Sequence, residues 1–261
     1  MKRNLSLNIL FICCLFTSAL YAKVPAFDSA NTKKLPPIRK FYVGTNTDAG
    51  IFSTATIQKK EQLINPGGGY NYTTVNSMGI IRFSYIINFG FTFNFNLGRH
   101  FGLFTGVDLK NIGFIEHDNS GATVKRRTYN IGAPIGIKIG NMADKGSYLF
   151  LGVGEDVPVN YKEKKFVIRN QKTKFNEWFS NATPTLMPYA FAGLALKNSI
   201  SVKLQYYPGN FLNPNYTKNG LQPYYGYDVH LMMLSIGFPM RLGKHKDIVT
   251  KHVADLNTAT M

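Results

Sequence analysis

The sequence predicts an all-β protein, an eight-stranded antiparallel up-and-down transmembrane β-barrel with short periplasmic turns and long extracellular loops. Three observations carry that prediction. The run Arg82–Leu97 places Phe83, Tyr85, Ile87, Phe89, Phe91, Phe93, Phe95 and Leu97 on one parity. Arg82, Ser84, Asn88, Gly90, Thr92, Asn94 and Asn96 take the other, with Ile86 the apolar exception. Successive strand side chains point to opposite faces, so this ribbon has one aromatic face and one polar face. It is longer than the ~9–11 residues a tilted strand needs to cross a bilayer. Second, the chain opens with an export signal. Third, its predicted connections are short at one end of the strands and mostly long at the other, the asymmetry of an outer-membrane barrel.

Met1-Lys2-Arg3-Asn4 is basic, Leu5–Phe16 is apolar, and Thr17–Ala22 supplies small residues for cleavage after Ala22, with Ala19 the alternative. This order is that of a secretory signal, too short for a spanning helix. Residues 1–22 are therefore assigned to the signal, 23–38 to a periplasmic segment, 39–243 to the barrel and 244–261 to a periplasmic tail. Cys13 and Cys14 both fall inside the signal. The exported chain then has no disulfide, thiolate metal site or cysteine nucleophile. Loss of Lys2 and Arg3 lowers the formal net charge from +16 to +14. No helix-turn-helix, zinc ligand set or RNA-binding signature accompanies that charge, so nucleic acid is not an expected partner. The expected partners of a basic exported barrel are anionic lipid and lipopolysaccharide phosphates, with solvated lysines in loops and tail as the alternative.

Eight runs carry strand patterning: Lys40–Ile51, Gly79–Leu97, Phe101–Ile115, Val124–Gly140, Ser147–Tyr161, Pro184–Leu196, Ile200–Tyr207 and Asp228–Leu242. The fourth sets Tyr129, Ile131, Ala133, Ile135, Ile137 and Ile139 against Thr128, Asn130, Gly132, Pro134, Gly136 and Lys138. In the fifth, Glu155 shares the parity of Leu151, Val153 and Val157, and a bulge near Gly154 is expected to turn it inward. Gly98–His100, Asn141–Gly146 and Lys197–Ser199 are hairpin turns. Phe52–Met78, Lys162–Thr183 and Pro208–Tyr227 are long loops, and Glu116–Thr123 is a shorter one. An even strand count leaves both termini in the periplasm; a hairpin hidden in the long loops would raise it to ten. A soluble lipocalin-like barrel is the rival, with its apolar face inward. A bore of eight strands has no room for a full column of large aromatics from one strand, which favours the membrane form.

Eight strands, short turns, long loops and no cysteine resemble the small outer-membrane barrels of the OmpA/OmpX type. The segments Phe93–Leu97 and Gly106–Leu109 are similar to those of Bacteroidetes barrels, including the PorT-like group. That resemblance implies a cell outer membrane location and an accessory role in secretion or envelope assembly. Ser235, Gly237, Met240 and Leu242 are similar to the signal read by the barrel-assembly machinery, with Met and Leu where aromatics are usual. Asp28-Ser29-Ala30 fits the O-glycosylation pattern of exported Bacteroidetes proteins.

With the aromatic parity facing lipid, Arg82, Asp108, Lys110, Lys138, Lys203 and Arg241 are expected inside the barrel as a polar network, with Asp156 a further candidate. Confined charges must pair or hold water. The network is expected to plug the bore; a narrow anion path is the functional alternative. No cofactor, metal or catalytic residue is assigned. Glu116, His117, Asp118 and Ser120 in one loop, with Asp228 and His230, are the only grouping that approaches a nucleophile, base and orienting acid. A lipid-A-modifying enzyme is accordingly the alternative to a non-enzymatic structural or adaptor barrel. Tyr70, Tyr72, Tyr216, Tyr224, Tyr225 and Tyr227 are expected first in an interfacial girdle, and second in a recognition surface. Lys162–Lys174 is expected as a basic external loop facing lipopolysaccharide.

Overall fold

The computed structural model describes residues 38–64, 70–84, 88–118, 121–144, 146–166, 172–197 and 200–242. The expected signal, the Asp28-Ser29-Ala30 pattern, the glycines at 67–69, Ser120 and the tail lie outside these residues. One antiparallel sheet contains β1 (Phe41–Ile64), β2 (Tyr70–Met78), β3 (Arg82–Ser84), β4 (Asn88–Asn96), β5 (Phe101–His117) and β6 (Thr123–Gly140). It continues with β7 (Tyr148–Phe166), β8 (Lys172–Trp178), β9 (Met187–Leu196), β10 (Ile200–Tyr207), β11 (Tyr227–Gly237) and β12 (Met240–Arg241). Eight of these form a ring in the order β11-β10-β9-β7-β6-β5-β4-β1, which closes where β11 pairs with β1. Closure removes the unpaired edges of an open sheet.

The registers fix the tilt. Stepping sideways from Val43 through Phe93, Thr105, Ile135, Val153, Ala190, Tyr206 and Met232 returns to β1 at Thr54, eleven residues beyond the start. One of the eleven is the extra residue at the Asp48/Gly50 irregularity. A stagger of that order over eight strands corresponds to a tilt of roughly 35–45° and a bore that side chains can fill.

Polarity separates the two barrel forms. Phe89, Phe91, Phe93 and Phe95 stay 40–45% exposed on the outer wall, while Asn88, Asn94 and Asn96 turn inward and are buried. The same outward face carries Val107, Leu109, Ile131, Ile135, Val153, Leu204, Met232, Leu234 and Ile236. An apolar outer band around a packed lumen is the polarity of a membrane-spanning barrel. In a soluble barrel such a patch would be exposed to water.

Two of the expected long loops are largely strand. β1 continues to Ile64 and returns as β2, with pairs from Thr56↔Met78 to Ile64↔Tyr70. β7 continues to Phe166 and returns as β8, with Lys164↔Lys174 between. The ring keeps eight members, and the extra strands rise from it as two hairpins. β2 and β8 are exposed or half-buried along their length, so their sequences lack the apolar alternation that reveals a strand. The expected second strand is likewise interrupted. Met78 faces Thr56 and Ser84 faces Ile51, so six steps on one side cover five on the other and a bulge sits at Gly79–Ile81.

Glu155 does not turn inward. The extra residue in β7 is Val159, because Tyr129 faces Asn160 and Asn130 faces Pro158. Pro158 cannot donate to the ladder and favours the break there. Glu155 therefore keeps the outward parity of Leu151 and Val153, and Asp156 points into the lumen, fully buried.

The upper lumen was not expected to be apolar. Ile51, Ile57, Ile112, Phe114, Val229, Leu231 and Met233 project inward there, and residues 208–226 fold into the mouth above them. Phe211 and Leu212 are fully buried, with Phe211 edge-on to Phe114 at 5.5 Å. Asn210 secures this segment, donating to the Tyr227 carbonyl at 2.7 Å and accepting from Val229 N–H at 3.0 Å.

Candidate functional site

Lumen side chains form three groups, each built from the inward parity of several strands. In the central group, Lys110 Nζ on β5 lies 2.9 Å from Asp156 on β7 and 3.4 Å from Asp108. It also stands 3.6 Å from the centre of the Tyr189 ring. Asp156 accepts from Tyr207 OH at 2.6 Å and from Asn130 Nδ2 at 3.4 Å, and Gln205 donates to Tyr207 at 2.6 Å. Two carboxylates thus share one ammonium, and neutral donors serve the other oxygen of Asp156. Gly132 makes this approach possible, since a Cβ there would collide with Asp108 Oδ1 and Asp156 Oδ1. Lys203 on β10 forms its own pair with Asp48 on β1 at 3.0 Å. A cavity of about 30 Å³ adjoins these groups, room for water but not for a solute.

Lys138 lies apart from them. Its Nζ donates to Tyr42 OH and Asn94 Oδ1, both at 3.0 Å, and to Asn96 Oδ1 at 3.2 Å. Among the described residues no carboxylate pairs with it. Below it opens a cup of about 400 Å³, bordered by Arg39, Tyr42, Tyr148, Asp144 and Arg241.

Two residues expected in the lumen network are elsewhere. Arg241 sits at the lower rim, bonded to Asp144 at 2.6 Å and to the carbonyls of Met142 and Ala143. The cause is Phe238-Pro239, where the last strand leaves its ladder between β11 and β12. Arg82 is buried, but its guanidinium donates to Asn111 Oδ1 at 2.7 Å in the wall. Among the described residues the β4–β5 ladder runs up to Phe89↔Leu109, and the next pairing above it is the Ile80↔Ile115 bridge. Side chains bond this stretch of β5: Asn88 Oδ1 accepts from Asn111 N–H at 3.0 Å, and Ser53 Oγ donates to the Gly113 carbonyl at 2.7 Å.

The third group seals the extracellular mouth. Arg126 pairs with Glu116 and, at 2.8 Å, with Glu163; Lys59 reaches Glu116 at 3.0 Å. Tyr224, from the inserted segment, donates to Glu163 at 3.0 Å and lies 3.0 Å from Tyr161 OH. Burial and then Glu163 raise the Tyr224 phenol above its ordinary range. Tyr216 stacks on Tyr224 with ring centres 5.7 Å apart. These loop tyrosines are neither girdle nor recognition surface; they are plug. Tyr225 and Tyr72 remain exposed.

Asp48, Arg126, Glu163, Gln205 and Tyr207 were missed in the sequence as members of these groups, and Glu116 was read as part of a loop grouping rather than of the lumen. Inward parity, continued upward along β5 and β6, points to Glu116 and Arg126. Asp48 is concealed by the bulge beside it, and Glu163 by its place in an expected loop.

The grouping weighed for catalysis does not assemble among the described residues. His117 contacts Thr123 Oγ1 at 3.3 Å on the exposed top of β5. His230 pairs with Asp228 at 3.4 Å on β11, with β4 and β1 between it and β5 in the ring. No group of metal-ligating residues forms among the described residues. In the assembly-signal-like run, Ser235 and Gly237 face inward; a Cβ on Gly237 would stand 2.6 Å from Asp48 Oδ1. Met240 and Leu242 face outward.

No protein-family model matches the chain. No curated protein matches it either. Among solved structures it is similar to Ail, the attachment invasion locus protein of Yersinia pestis, at 10% identity and TM-score 0.33, over 76% of this chain and 99% of that one. It is similar to Neisserial surface protein A at 11% identity and TM-score 0.37, over 79% and 99%. Its similarity to the outer membrane protein AlkL covers 83% and 100%, at 14% identity and TM-score 0.36. The barrel itself is established by the pairing and polarity of the strands described above.

Proposed function

We propose that this chain is a non-enzymatic outer-membrane barrel of a Gram-negative cell, with a structural or adaptor role in the envelope. One observation carries the proposal: above the periplasmic cup the lumen is filled by paired charges, aromatic rings and an inserted loop. A filled bore leaves the extracellular hairpins, the outer wall and the periplasmic ends as working surfaces. The expected partners are lipopolysaccharide, the barrel-assembly machinery and a secretion or envelope complex. Extraction of the outer membrane in mild detergent, followed by native sizing, tests the reading. The expected result is a defined assembly larger than the barrel. A lone monomer, or a stepwise anion conductance in planar bilayers, would overturn it.

A further inference from the structure

Above the apolar belt, the outward parity of three neighbouring strands changes from hydrocarbon to cation. On β6, Ile131 and Tyr129 lead up to Arg127 and Lys125. On β8, Trp178 leads up through Asn176 to Lys174 and Lys172, and Lys162 and Lys164 of β7 stand between the two. The registers put these cations in rows. Lys125 faces Lys164, which faces Lys174, and Arg127 faces Lys162. Directly opposed side chains have Cβ atoms ~4.5–5.5 Å apart, and like charges so placed destabilise a sheet.

Among the described residues no carboxylate is paired with them. Glu163 belongs to the opposite parity and serves Arg126, and Lys165, also of that parity, takes Asp118 at 2.6 Å. Rings hold the cations in place instead. Lys125 and Lys172 lie 5.2 and 5.1 Å from the Phe166 ring, and Lys162 and Arg127 lie 5.0 and 5.6 Å from the Tyr129 ring. Arg127 first, then burial, then Lys172, Lys174 and Lys162, hold the Lys164 ammonium below the ordinary lysine range. The face has positive potential to spare.

Its position identifies the partner. Acyl-facing residues, then Tyr129 and the 66%-exposed Trp178, then cations, follow the order of a bilayer boundary from hydrocarbon to phosphate. A soluble polyanion would require no such continuity with the belt. We propose that this face binds phosphorylated lipid headgroups of the outer leaflet, with Lys125, Arg127, Lys162, Lys164, Lys172 and Lys174 on the phosphates. The assignment rests on the membrane-barrel reading above.

Trp178 is the single tryptophan of the chain and reports on the site directly. The mature barrel is refolded into three kinds of vesicle: phosphatidylcholine alone, phosphatidylcholine with a diphosphorylated glycolipid, and phosphatidylcholine with that glycolipid stripped of phosphate. The phosphorylated vesicle alone is expected to shift Trp178 emission, and salt is expected to weaken the effect. Each cation near such a surface changes affinity about fivefold, so the triple variant Lys125→Gln/Lys164→Gln/Lys174→Gln is expected to lose roughly a hundredfold. Without phosphorylated lipid the same variant should unfold no more readily than the parent, because the opposed charges are gone. Lys197→Gln, in a periplasmic turn, should bind as the parent does. Equal response to the stripped glycolipid, or a triple variant with parental binding, would overturn the site. Competition by soluble pyrophosphate at the lipid's own affinity would also overturn it and assign a soluble anion. Failure to insert into any vesicle would overturn the membrane reading instead.

Discussion

Replacement of Asp156 by alanine removes the residue on which the central lumen group converges. The carboxylate is fully buried, 2.9 Å from Lys110 Nζ and 2.6 Å from Tyr207 OH. Breaking a buried ion pair from one side costs about 3–5 kcal/mol, because the remaining charge keeps its desolvation penalty. Leaving the Tyr207 hydroxyl without an acceptor adds about 1–3 kcal/mol. Two features offset part of this. Lys110 retains Asp108 at 3.4 Å, and the water-sized cavity nearby lets solvent replace the lost oxygens. The expected net loss is therefore about 4 kcal/mol, the lower end of the summed range of about 4–8 kcal/mol. Urea unfolding in phosphatidylcholine vesicles, followed by Trp178 fluorescence, measures it. Lys165→Ala is the reference, since the Lys165 side chain stays 39% exposed in its pair with Asp118 and a pair open to water is worth under about 1 kcal/mol. If Asp156→Ala unfolds within 1 kcal/mol of that reference, on the order of a surface pair, the central group does not hold the lumen together and the reasoning fails.

Three further outcomes are expected. Gly132→Ala drives a methyl into Asp108 and Asp156 and should cost about 1–3 kcal/mol, whereas Gly209→Ala, with open space around it, should be neutral in the same assay. Phe211→Ala empties the plug against Phe114 and should cost about 3–5 kcal/mol; hydrogen exchange should rise across residues 208–226 before the ring strands, and a uniform rise would deny a separable plug. Phe93→Arg places a charge on the outer belt and should cost about 2–4 kcal/mol in a bilayer, while a soluble barrel with the same wall in water would lose almost nothing.

What was legible in the sequence followed from parity. Phe89 to Phe95 against Asn88, Asn94 and Asn96 marks a wall with lipid on one side and a lumen on the other. The same alternation placed Asp108, Lys110, Lys138 and Lys203 inside, because a strand's side-chain period is two whatever its neighbours are. Parity has no way to count bulges. The extra residues near Asp48 and at Val159 fall where pairing partners and Pro158 demand them, so Asp48 went unseen and Glu155 was turned the wrong way. Nor can parity find a strand that buries little of either face, which is why β2 and β8 read as loops.

Other features belong to tertiary structure alone. Arg82 turned into the wall to meet Asn111 Oδ1, a contact between residues far apart in sequence. Arg241 left it because Pro239 ended the last ladder below the bore. Phe211, Leu212 and Tyr224 look like loop residues until the ring closes and offers them an apolar mouth to fill. The cation rows exist only because registers set Lys125, Lys164 and Lys174 side by side. By itself the sequence determined which faces are apolar, since that depends on neighbours along one chain. Which charges meet depended on the stagger between chains of residues far apart in sequence, and that was decided only when the barrel closed.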